Sequence, residues 1–198
     1  MLSKRPSAEP STQQSRLLPS LFEQIDEERC LTVFHVGPAL PETVDFFSRY
    51  RCKLHFVDLF AELPIVSNEE SDPSLEQQFA GMLQFPVGTQ FDICLFWDLF
   101  NFLGSDAITA FLKALRPYLN TDCLAHGFSV HNLKTAQSNQ LYGIRETDTL
   151  NLRNRQTTIP CYAPHSQNQL KTLLSGFAFE RSVLLPDSRL ELVLRASR

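Results

Sequence analysis

The chain has 198 residues, 43% hydrophobic and 20% charged, which suits one globular domain with a sizeable core. No apolar run is long enough to span a bilayer, which excludes a transmembrane helix. The net charge of −4 comes without any aromatic-interleaved basic run, which argues against nucleic acid as a partner.

Charge is unevenly spread. Residues 1–133 carry 9 basic and 17 acidic side chains, a balance of −8, and residues 134–198 carry 9 and 5, a balance of +4. The basic third can face an anionic substrate, a nucleic acid, the acidic part of the same molecule or simply solvent. The 16 phenylalanines carry no polar handle and imply a Phe-rich core. Cys30, Cys52, Cys94, Cys123 and Cys161 form no C-x-x-C pair and are odd in number, so free thiols in a reducing compartment are expected. The polar segment 1–16 has no apolar signal core, and a soluble cytoplasmic protein is expected.

In chain order, residues 1–16 read as a disordered tail and 17–198 as one domain. A short helix opens at Ser20 and ends near Arg29. Leu31–Val36 is an almost continuous apolar run closed by Gly37, as in a strand buried on both faces of a parallel sheet. Pro41 starts a helix over Glu42–Tyr50, with Val44, Phe46 and Phe47 turned inward. Lys53–Asp58 is a second strand. Residues 61–72 are acidic and polar, with no clear strand. Ser71-Asp72-Pro73 reads as a helix start leading to Leu83.

Phe91–Asp98 is a third strong strand. Ser105 is placed to cap a helix whose Ile108, Phe111, Leu112 and Leu115 share one face. Cys123–Val130 is a further strand. Residues 131–164 read as a long polar insertion with room for one short helix. Ser166 is placed to cap a helix that stops at Gly176. Phe177–Leu185 and Leu190–Ala196 are joined by a turn so short that they must be antiparallel. The expected fold is therefore α/β, a Rossmann-like, mostly parallel sheet closed by an antiparallel hairpin.

Four segments resemble class I S-adenosylmethionine-dependent methyltransferases. Val36-Gly37-Pro38-Ala39 is similar to the family's glycine-rich loop. Asp58 lies 21 residues after Gly37, where the family places an acid for the cofactor ribose. The segment from Phe91 through Trp97-Asp98 to Leu103 resembles the fourth strand and its loop. Leu173–Phe177, leading into the hairpin, resembles the C-terminal segment. The likeness spans residues 20–198 and is that of a divergent bacterial branch.

The resemblance implies S-adenosylmethionine as cofactor, with His35, Gly37, Pro38, Ala39, Asp58, Leu59, Trp97 and Asp98 around it. The chemistry fits those positions. Backbone N–H groups at a strand-to-helix turn meet the ligand, an acid accepts both ribose hydroxyls, and apolar side chains sandwich adenine. Asn101, His131 and Tyr142 are candidates for the acceptor side.

The sequence also departs from the family. His35 stands where the family's acid helps to hold the methionine ammonium. Ala39 and Pro41 replace glycines, and a clear third strand is missing. His35, His55 and His126 sit within strands and suit core histidines better than metal ligands, and His131 and His165 are isolated on loops. No metal site is expected, and no nucleophile–base pair can be recognised.

Two functions follow. One is a methyltransferase of unknown acceptor, with Arg145, Arg153 and Arg155 suiting an anionic one. The other is a methyltransferase-like binding or regulatory module without catalysis.

Overall fold

Three nearly unbroken apolar runs form the middle of the sheet, because only a strand covered on both faces can bury every side chain. The computed structural model describes residues 11–23, 29–67 and 72–197. The elements in chain order are β1 (Ser11–Gln14), α1 (Pro19–Phe22), β2 (Leu31–Val36), α2 (Pro41–Phe47), β3 (Cys52–Val57), α3 (Leu75–Met82), β4 (Phe91–Trp97), α4 (Ser105–Leu115), β5 (Leu119–Val130), β6 (Gln140–Glu146), β7 (Thr149–Asn154), α5 (Gln167–Leu173), β8 (Phe177–Leu184) and β9 (Arg189–Ala196).

The main sheet runs β3-β2-β4-β5-β9-β8. The first four strands are parallel, and β9 lies antiparallel between β5 and β8. This is the expected layout. No strand lies outside β3 among the described residues, which agrees with the missing third strand. The order reverses between β2 and β4, the position where open α/β sheets form their ligand crevice.

Alternate residues feed two cores. Phe34, Phe96, Phe111, Leu170 and Phe177 pack on one face with α3, α4 and α5. Val33, Leu95, Trp97, Phe46 and Phe47 pack on the other with α1 and α2. Aromatic contacts are mostly edge-on, as between Phe96 and Phe111 at 5.8 Å.

Several local expectations are corrected. α3 is capped by Ser74, not by Ser71 or Asp72. Its hydroxyl accepts from the Gln77 amide while Gln77 bonds back to the Ser74 amide, a reciprocal capping box. Ser105 is the first residue of α4, and Gly104 holds the cap position without a side-chain bond. Val44 is 43% exposed, and Thr43 takes the inner place in α2. Ser166 does cap α5. All five cysteines are free thiols. Residues 24–28 of the expected first helix lie outside the described residues.

The larger corrections concern the tail and the insertion. Residues 1–10 lie outside the described residues, but Ser11–Gln14 is a strand rather than tail. The insertion 131–164 contains no helix among its residues; its centre is the β6–β7 hairpin. β1 pairs antiparallel with β7 and makes a second, three-stranded sheet, β1-β7-β6. Tyr142, Ile144 and Leu150 are its inward side chains, added to the α1–α2 core.

One buried carboxylate joins the two sheets. Glu191 on β9 is fully buried. It accepts from His126 Nε2 at 2.8 Å, from the Ser15 hydroxyl, and from the amides of Arg16 at 3.0 Å and Leu17 at 3.3 Å. Burial alone would raise its pKa. The bonds from His126, Ser15 and the Arg16 amide outweigh burial and hold it at about 2.

Because the folded value lies below the ordinary 4.5, this carboxylate adds stability above pH 4.5 and loses that contribution as pH falls toward 2. Glu191→Ala strands a buried imidazole, a hydroxyl and two amides. It should cost about 3–5 kcal/mol in urea unfolding at pH 7 and flatten the loss of stability below pH 4.5. A variant as stable as wild type at pH 7 would show that the carboxylate holds nothing.

Candidate functional site

The C-terminal ends of β2, β3 and β4 meet at the strand-order reversal. β2 ends in His35-Val36-Gly37. Gly37 has φ +116°, which other residues adopt only with strain, and its amide donates to Val57 O at 2.8 Å. The loop thereby turns toward β3 and then enters α2 at Pro41. Ala39 is exposed and has no positive φ, so it stands in the loop without backbone strain. Leu59 is fully buried in the core beneath Asp58 rather than facing the cleft.

Asp58 stands just past β3. Its Oδ1 is buried without a hydrogen-bond partner. The residue lines a cavity of about 370 Å³ with Pro38, Phe60, Leu141, Arg155 and Thr157. A buried carboxylate oxygen without a donor is costly unless a ligand or water supplies one. A larger cavity, about 660 Å³, lies at the other end of the sheet between α4 and α5. It has mainly apolar walls such as Leu112, Leu173 and Phe177 and lies away from the crevice.

Beside the Asp58 cavity lies a sealed polar group. Trp97 ends β4 with φ 52°, a left-handed conformation that costs a bulky residue about 1–2 kcal/mol. Its Nε1 donates to His35 Nε2 at 3.2 Å. Burial lowers His35 to about 4, outweighing the pull of the His35 and Gly37 backbone, so the ring is neutral at pH 7. Its Nδ1 lacks a partner. Tyr142 from β6 stacks on Trp97 at 5.3 Å and 11°. The Tyr142 hydroxyl donates to Asp98 Oδ2 at 3.3 Å and accepts from Arg189 Nη1 at 3.0 Å.

The hairpin also covers the start of α2. The Ile144 amide donates to Thr43 Oγ1 at 3.0 Å, and Arg153 makes two 2.9 Å bonds to Glu42. Gly143 permits this approach, since a Cβ there would fall 2.5 Å from the Glu42 side chain.

Of the sequence-derived candidates, Pro38 and Asp58 line the cavity, and His35, Trp97, Asp98 and Tyr142 form the sealed group. Asn101 is buried and structural: its side-chain amide donates to Phe128 O at 3.4 Å and its carbonyl accepts from the Ala163 amide at 2.9 Å. His131 is exposed past β5, its amide bound to Ser188 O, and joins neither group. Sequence reasoning missed Arg189 and Phe60. Arg189 opens β9 just after the hairpin turn, and its guanidinium lies 5.0 Å from the Phe128 ring centre.

S-adenosylmethionine, the cofactor that the resemblance implies, meets a divided site. The orphaned Asp58 oxygen and its cavity fit the nucleoside half. On the methionine side, neutral His35 brings no charge to pair with an ammonium, and Tyr142 stacks on Trp97 beside it.

The strand order and the lone antiparallel strand define the class I methyltransferase-like fold, and solved structures agree. The 1,6-didemethyltoxoflavin-N1-methyltransferase of Burkholderia thailandensis, with 1,6-didemethyltoxoflavin and S-adenosylhomocysteine bound, aligns over 92% of this chain and 78% of its own at 15% identity and TM-score 0.51. A Pyrococcus horikoshii protein aligns over 91% and 88% at 13% identity and TM-score 0.52. A Sulfolobus solfataricus protein described as a type 11 methyltransferase aligns over 91% and 90% at 15% identity and TM-score 0.52. No protein-family model and no curated protein matches the sequence. No described helix is long and apolar enough to cross a membrane.

Burial raises Asp98 to about 7, against the pull of Arg155, Arg189 and the Tyr142 bond. Its folded value lies above the ordinary 3.8, so stability is fullest below 3.8 and declines as pH rises toward 7. Asp98→Asn keeps an acceptor for Tyr142 and removes the titration. Thermal unfolding across pH 4–8 should show a decline in wild type that is flattened in the variant. Parallel profiles would place the ionisation elsewhere.

Proposed function

We propose that the protein is an S-adenosylmethionine-dependent methyltransferase of an unidentified acceptor, with the cofactor ribose held by Asp58. The observation that carries this reading is Asp58, which has one buried, partnerless carboxylate oxygen and lines a cavity beside the glycine turn, at the strand-order reversal of a methyltransferase-like sheet. Ribose hydroxyls supply the donors that oxygen lacks. Pro38 and Phe60 offer apolar walls for a nucleoside. S-adenosylhomocysteine is bound in the Burkholderia thailandensis enzyme of the same fold. A small-molecule acceptor and a cytoplasmic location complete this reading.

When bound, S-adenosylmethionine supplies an electrophilic methyl group. The chain's own part is to orient the donor through Asp58 and the Gly37 turn. It also excludes water through the β6–β7 hairpin, which covers the crevice.

A second reading, a binding module without catalysis, is favoured by a specific observation. Neutral His35 stands where the resemblance puts the acid for the methionine ammonium, and it is tied up by Trp97, on which Tyr142 stacks.

Titration calorimetry with S-adenosylmethionine and S-adenosylhomocysteine tests the proposal. Wild type should bind, and Asp58→Ala should weaken binding roughly tenfold to a hundredfold, since a bond to a charged acceptor is worth about 1.5–3 kcal/mol. The melting temperature should hold, because Asp58 makes no hydrogen bond within the protein through Oδ1. No heat and no thermal shift at millimolar cofactor would reject the enzyme. Binding without methyl transfer to any acceptor in a pooled metabolite screen would favour the module.

A further inference from the structure

Among the described residues the cavity beside Asp58 is lined by one cation, Arg155, and none of them hydrogen-bonds its outer nitrogens. Arg155 follows β7 directly. Its amide donates to Asn139 O at 2.9 Å and its Nε to Gln140 O at 3.2 Å, which fixes the side chain. Its guanidinium lies 4.2 Å from the Phe60 ring centre. No carboxylate reaches ion-pair distance of it among the described residues, whereas neighbouring Arg153 is spent on Glu42. Asp58 and Asp98 support its charge from farther off. Thr157 and Thr158 add hydroxyls to the same wall.

The opposite charge has been lost nearby. His35 is neutral where the resemblance expects an acid, so a ligand ammonium finds no partner there. The start of α2, which would otherwise offer amides to an anion, is closed by the hairpin and carries Glu42. An anion on a ligand seated at Asp58 therefore has Arg155 as its available cation, in a guanidinium that offers two free nitrogens to a carboxylate or phosphate.

We infer that Arg155 is the anion-binding residue of this cavity, which selects nucleosides whose 5′ substituent ends in a carboxylate or phosphate over uncharged ones. The inference rests on the reading of Asp58 as the ribose acceptor. It goes beyond that reading in naming the ligand's charge and the residue that senses it.

The test is calorimetry on the full chain with four probes: S-adenosylhomocysteine, adenosine 5′-monophosphate, 5′-methylthioadenosine and adenosine. At least one of the two probes that carry an anionic group, the zwitterionic S-adenosylhomocysteine with its carboxylate or the monophosphate, should bind roughly tenfold to a hundredfold more tightly than both uncharged ones. Arg155→Gln should reduce that preference to about twofold or less while leaving the uncharged probes near their wild-type affinity. Arg155→Lys, which keeps the charge, should retain part of it. Should Arg155→Gln not fold, the preference in wild type and in Arg155→Lys should still shrink as salt rises.

Equal binding of charged and uncharged probes, or a preference untouched in Arg155→Gln, overturns the inference even if S-adenosylmethionine binds and the methyltransferase reading stands. Preference for the monophosphate with no binding of S-adenosylmethionine or S-adenosylhomocysteine supports the inference and removes the methyltransferase reading. Absence of binding by all four probes overturns both, and Asp58→Asn then leaves nothing to lose.

Discussion

The architecture depends on one buried carboxylate. Glu191 sits on β9, the one antiparallel strand of the main sheet among the described residues, and gathers His126 from β5 with Ser15, Arg16 and Leu17 from the chain before α1. That grip fixes where the N-terminal segment leaves the sheet. The preceding residues then run as β1 along β7, and the Ser15 amide bonds to Asp148 O at the hairpin turn. Two residues away on the same strand, Arg189 bonds to Gln13 of β1 and to Tyr142 of β6. β9 therefore holds both parts of the small sheet, and through them the cover over the crevice. A charge removed from water at such cost is retained where several donors converge on it and where it fixes one arrangement among several.

Most of the main sheet was legible because burial on both faces leaves an unmistakable record. Leu31–Val36 and Phe91–Trp97 are almost uninterrupted apolar runs. The short Pro186–Arg189 turn could join its strands only as antiparallel neighbours. The small sheet was not legible, because it is buried on one face and its outward residues are polar. β1 reads Ser-Thr-Gln-Gln and contributes backbone pairing and polar side-chain bonds from Gln13 and Gln14, which leave no hydrophobic pattern. β6 and β7 do carry a signal, a two-residue alternation of Tyr142 with Ile144 and of Leu150 with Leu152 about the Glu146–Thr149 turn. The charged and amide residues between them masked it.

The candidate site divides the same way. Gly37 and Asp58 were legible because backbone conformation and strand-end position follow from local sequence. The Tyr142–Asp98–Arg189 network was not, because it joins three segments separated by 44 and 47 residues. Asn101 shows the converse. A polar residue at the rim of the sheet suggested substrate contact, yet its side chain and carbonyl bridge β5 and the segment before α5.

The replacements around the crevice form a consistent electrostatic set. A carboxylate at position 35 would stand in a dry pocket beside Trp97, where burial would push its pKa upward as it does that of Asp98. A buried acid with no cation beside it ionises only at a cost. A histidine there is neutral, accepts the Trp97 N–H and adds no charge. Arg189 and Arg155 are the charges that balance Asp98. Asp58 lines the open cavity rather than the sealed group. His35, Tyr142 and Arg155 thus act together: the first adds no charge, the second closes the polar group over Trp97, and the third places a cation on the cavity wall, so the charged side chains that line the cavity among the described residues are Asp58 and Arg155.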